Sequence, residues 1–114
     1  MNPRSIKRLE DARDACSRIQ EFTCGVSLES FLASDVLRSA VERQLEIISE
    51  ALGIAAKEDD LVQMQLSELP RIVALRNRLI HGYDSVDPEL IWDVVQTKIK
   101  PLKDQLVQVA GEFM

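Results

Sequence analysis

The chain has 114 residues, 46% of them hydrophobic, and a formal net charge of −5. That length predicts one domain over residues 1–114, and no apolar run approaches the ~20 residues needed to span a bilayer. The acidic balance argues against a general binder of nucleic acid, DNA included, because phosphate contacts need cations.

Helical spacing dominates from the start. Ile6, Leu9, Ala12, Arg13, Cys16, Ile19 and Phe22 predict a first helix from about Pro3 to Thr23, with Gly25 as its stop. Ser27 to Ala33 holds Leu28, Phe31 and Leu32 and reads as a connector with room for one helical turn. A second long helix is predicted from about Asp35 to Ala56, capped by Ser34 or Asp35. Its apolar face, from Val36 and Leu37 to Leu52 and Ala55, is wide enough to meet more than one neighbour. Arg38, Glu42, Glu46 and Glu50 form a charged row, read as a solvated face with an Arg38–Glu42 pair. Lys57 to Leu66 is an acidic connection compatible with continued helix.

A third helix is predicted from about Glu68 to His81, with Ser67 as cap, Pro70 in the first turn and Gly82 at the end. Asp87-Pro88-Glu89 opens a fourth, which Pro101 breaks or kinks before the spacing resumes through Leu106, Val109 and Phe113. No strand alternation or internal repeat appears. The predicted fold is all-α, an up-and-down four-helix bundle with a kinked or split C-terminal helix.

Charge is unevenly spread. Residues 1–20 hold five Lys/Arg against three Asp/Glu, residues 21–68 three against ten, and residues 69–114 six against six. RNA contact would have to be local, with Arg71, Arg76 and Arg78 as candidates and Lys98, Lys100 and Lys103 as either helpers or solvated charges. Cys16, Cys24 and a single histidine give no zinc set, so no metal or cofactor is expected. The N-terminal segment has no signal-peptide core, and a reduced, cytoplasmic setting is expected.

Arg76-Asn77-Arg78-Leu79-Ile80-His81-Gly82-Tyr83 is the stretch most suited to chemistry. Leu69, Ile72, Val73, Leu79 and Ile80 share one helix face, and Arg76 falls near its centre. A charge there must be paired or face a polar cavity. His81 is the one side chain with an ordinary pKa near neutrality. Asn77, one turn earlier, can hydrogen-bond its ring. Arg76 carries a planar fork suited to phosphate. Together they fit attack of a ribose 2′-OH on the adjacent phosphorus, with His81 as base and Arg76 stabilising the phosphoryl oxygens. The two lie about 140° apart around a regular helix. Convergence therefore requires unwinding near Gly82, or a second copy across a two-fold axis. On spacing alone, the default readings are His81 as a partner of the helix dipole, Tyr83 as a packing residue and Trp92 as a core or interface anchor.

The motif Arg76-Asn77-x-x-x-His81-x-Tyr83 resembles the R-x4-H-x-Y signature of HEPN-domain proteins, specifically the HepT-like group. The resemblance extends to Ala40–Ile48, to Val86-Asp87, to Ile91–Val95 and to Pro101-Leu102, with Ser49 standing where that group commonly has glycine. It implies a homodimeric helical bundle with the motif at the dimer cleft. It also implies a metal-independent ribonuclease toxin with Arg76 and His81 catalytic and Asn77 supporting. The implied partner is an MntA-like nucleotidyltransferase antitoxin that transfers AMP to Tyr83. Two other readings stand beside it. In one, the chain is a non-catalytic nucleotide- or substrate-binding subunit of a minimal nucleotidyltransferase. In the other, the motif is an interface network in a structural dimer.

Overall fold

Asn2 sets the first helix. In the computed structural model, which describes residues 2–66, 70, 71, 74, 75 and 87–113 (side chains through 111), its Oδ1 accepts the Ser5 N–H at 2.8 Å. Pro3 follows at the first helical position, where its missing N–H costs nothing. Helix α1 runs Pro3–Thr23 and ends before Gly25, whose φ of +72° turns the chain out. Its buried stripe is Ser5, Leu9, Ala12, Ala15, Cys16, Ile19 and Thr23. Phe22, expected inside, is 37% exposed. Thr23 takes the inward position, and its hydroxyl donates to the Ile19 carbonyl at 2.7 Å, so the polar atom is satisfied.

The connector is a real element. Helix α2, Leu28–Ala33, is capped by Ser27, whose Oγ accepts the Ser30 N–H at 3.1 Å. It places Phe31 in the core against Trp92, with ring centroids 5.0 Å apart and planes tilted by 41°. Trp92 is thus an anchor between α2 and the helix that carries it, as expected.

Helix α3, Asp35–Glu58, is capped by Ser34, whose Oγ accepts the Leu37 N–H at 3.1 Å. It packs on α1, α2 and the short helix that follows, which accounts for its wide apolar face. Val36, in its first turn, is an exception at 81% exposed. The expected Arg38–Glu42 pair does not form: Arg38 donates to the Asp35 carboxylate and to the Leu32 carbonyl, which ties α3 back to the end of α2. Glu42 instead has its pKa raised, chiefly by burial, with Arg38 opposing and Glu46 adding to the rise.

Asp59 interrupts the helical run and restarts it. Its Oδ1 caps helix α4, Asp60–Gln65, at the Leu61 N–H, and its Oδ2 accepts the Asn2 N–H at 3.3 Å. Val62 and Leu66 carry this short piece into the core. Of the third predicted helix, Pro70, Arg71, Ala74 and Leu75 are helical, and the remainder of residues 67–86 lies outside the described residues.

Asp87 caps helix α5, Pro88–Thr97, through Oδ1 and the Glu89 N–H at 2.9 Å. The predicted split follows, but three residues ahead of Pro101. Lys98 alone separates α5 from helix α6, Ile99–Phe113, and its N–H still donates to the Val94 carbonyl at 2.9 Å. Pro101 has no N–H for the carbonyl four residues back, that of Thr97, and its ring crowds that carbonyl, so the helical run is interrupted just after Thr97 and not at the proline itself. Helix α6 packs along α1, and Lys103 Nζ donates to Gln20 Oε1 at 3.1 Å between them. The result is an all-α helical bundle with no strand among the described residues. Leu9, Ile19, Leu52 and Leu106 sit at its centre.

Candidate active site

The residues expected to carry chemistry fall between Leu75 and Asp87. Arg76, Asn77, Arg78, His81 and Tyr83 lie outside the described residues, and so does the convergence of Arg76 with His81. The two ends of that stretch are described. Leu75 is helical, half-buried and packed against the core. Asp87 is held by the cap it forms on α5, and its carbonyl accepts the Ile91 N–H at 3.2 Å.

Beside Leu75 opens an apolar cleft of about 340 Å³. Helix α3 supplies Leu45, Ile48 and Ser49; α5 supplies Leu90 and Val94; α6 supplies Ile99 and Leu102. Arg71 and Lys98 also line it, both exposed, and no carboxylate appears among its described walls. Two cations over an apolar floor suit a ligand with a flat or aliphatic part and an anionic group. Ser49 sits buried within α3, and its hydroxyl is satisfied by donating to the Leu45 carbonyl at 2.7 Å. The serine that stands in place of a common glycine therefore fits without a polar cost.

The basic candidates separate. Arg71 and Lys98 both line the cleft. Lys100 is paired with Asp104 at 3.0 Å, and Lys103 reaches Gln20 on α1, so both point away from the cleft's chemistry. Cys16 is buried, and burial pushes its thiol up to about 12, with Lys103 opposing, while Cys24 is exposed. No cluster of metal-ligating side chains occurs among the described residues. The apolar walls of the cleft were not singled out by sequence. Their signal was the excess width of the α3 apolar face, which named too many residues to tell cleft from core.

The model of the family described as ribonuclease HepT-like matches residues 12–109 of the chain. The chain belongs to the ribonuclease HepT-like family. Among its relatives, "Probable ribonuclease HepT" of Thermococcus cleftensis is 36% identical over 97 residues, covering 83% of this chain and 86% of that protein. "Putative RNase TTE0752" of Caldanaerobacter subterraneus subsp. tengcongensis is 33% identical and covers 89% of each. "Putative RNase MJ1380" of Methanocaldococcus jannaschii is 30% identical, covering 93% of this chain and 97% of that protein. No solved structure matches significantly. HepT-like membership agrees with the family resemblance read from the motif. No helix among the described residues is long and apolar enough to cross a membrane.

Proposed function

We propose that this HepT-like ribonuclease is a metal-independent RNA endonuclease, with Arg76 and His81 as its catalytic pair. The observation that carries the reading is the complete Arg76…His81…Tyr83 spacing in a chain that the family model matches almost throughout. His81 takes the proton from a ribose 2′-OH, and the 2′-oxygen attacks the adjacent phosphorus. The bond to the 5′-oxygen breaks, that oxygen regains a proton, and a 2′,3′-cyclic phosphate remains. Arg76 stabilises the charge that builds on the non-bridging oxygens, and Asn77 orients the imidazole. Two copies meet across a two-fold axis to bring these groups together, since one regular helix holds them about 140° apart.

The partner is a minimal nucleotidyltransferase antitoxin that transfers AMP from ATP to Tyr83. An adenylyl group two residues from His81 adds bulk and negative charge and repels RNA phosphate. Purified protein in EDTA is expected to cleave RNA, and His81→Ala and Arg76→Ala are each expected to lower the rate at least ~100-fold. Equal cleavage by wild type and both variants would sink the assignment. RNA binding without any cleavage would favour a non-catalytic subunit instead. Mass spectrometry after incubation with ATP, Mg²⁺ and the nucleotidyltransferase should place AMP on Tyr83 and nowhere else.

A further inference from the structure

The described arginines divide sharply by partner. Arg13, Arg38 and Arg43 are ion-paired with Asp14, Asp35 and Glu46, and Arg71 is also engaged. Among the described residues, Arg4, Arg8 and Arg18 have no carboxylate within ion-pair distance, and all three are exposed. All three lie on α1. At 100° per residue they occupy an arc of about 80°, and at 1.5 Å per residue they span roughly 21 Å.

A second hollow, of about 310 Å³, runs along this arc between α1 and α3 and is lined by Arg8, Asp11, Asp14, Arg18 and Glu50 among others. Its two aspartates are already held, Asp11 by Lys7 at 2.7 Å and Asp14 by Arg13 at 3.3 Å. Counting Arg4, Lys7, Arg8 and Arg18 against Asp11, Asp14 and Glu50, this face carries +1 on a chain of net charge −5. Guanidinium groups gathered on one stripe of an acidic protein suit a polyanion, and the substrate class proposed above is one.

We infer that Arg4, Arg8 and Arg18 form a backbone-binding track for single-stranded RNA, distinct from the cleft beside Leu75. The track lies across α3 from that cleft: Ile47, Glu50 and Ala51 line this hollow, and Leu45, Ile48 and Ser49 line the other. It contacts phosphates and so adds affinity without sequence preference. The inference rests on RNA being the substrate, though not on which residues cleave it.

The test uses the full chain carrying His81→Ala, so that RNA survives, and a fluorescein-labelled 20-nucleotide single strand read by anisotropy. R4Q/R8Q/R18Q is expected to weaken binding about tenfold at 50 mM salt. It should also flatten the log–log salt slope by roughly 2, since each lost phosphate contact on a single strand removes ~0.7. The comparison variant, K100Q/K103Q, removes cationic charge from α6, away from the track, and should stay within about twofold of the parent. Unchanged affinity and slope in the first variant, or an equal loss in the second, would overturn the track. Absence of cleavage by the wild-type protein would overturn the nuclease reading alone, leaving the binding comparison intact.

Discussion

Helix α3 separates two hollows of similar size and opposite chemistry. On one side Leu45, Ile48 and Ser49 face an apolar cleft of about 340 Å³. On the other, Ile47, Glu50 and Ala51 face a hollow of about 310 Å³ edged by arginines and carboxylates. A one-residue step along a helix rotates a side chain by about 100°, so neighbours in sequence belong to different solvents. The dry side owes its shape to packing, and the wet side owes its character to which charges lack partners. Substitutions on the two sides should therefore fail in different ways.

The largest expected effect is on the dry side. Ile48 is 2% exposed, and Ile48→Ala removes buried methyl groups from a wall whose backbone cannot fully collapse. A loss of ~2–5 kcal/mol in urea unfolding is expected. A loss below ~1 kcal/mol would mean that the wall is already solvated.

Ser49→Gly sharpens the same side. It removes the hydroxyl bonded to Leu45 and loosens the helix backbone, and should cost ~1 kcal/mol. A gain in stability would show that the cleft prefers a closer approach to α3 than serine allows.

The smallest stability effect is expected on the wet side. Glu50→Gln should shift unfolding by less than ~0.5 kcal/mol, because an exposed charge with no ion pair among the described residues is worth little. It should, however, tighten RNA binding by removing a negative charge from the proposed track. A large loss of stability with no change in binding would collapse the distinction between the two sides.

Much of the framework was legible because local rules govern it. The Pro3 start, the Gly25 turn, the Ser34 cap and the Asp87-Pro88 start each depend on residues within one turn, and each formed. What sequence missed depends on distant neighbours. Phe22 and Thr23 are adjacent and both plausible inside; which one turns inward is set by how α1 meets the rest of the bundle. Arg38 had an i+4 glutamate available, yet the Leu32 carbonyl and Asp35 captured it, a choice fixed by the bend between α2 and α3. The break at Lys98 was readable only as "near Pro101" because the clash lies with the carbonyl of Thr97. For the candidate site the balance differs: the motif was legible from residue types and spacing, while the cleft and the arginine stripe required the fold.

The Phe31–Trp92 contact has a practical consequence. The chain contains one tryptophan, so its intrinsic emission comes from a single known place, the seam between α2 and α5. That seam lies about one and a half turns beyond the Asp87 cap, which follows the segment bearing His81 and Tyr83 in sequence. Trp92 is therefore a built-in optical gauge for that junction, and a shift in its emission maximum would report loosening there with no label attached.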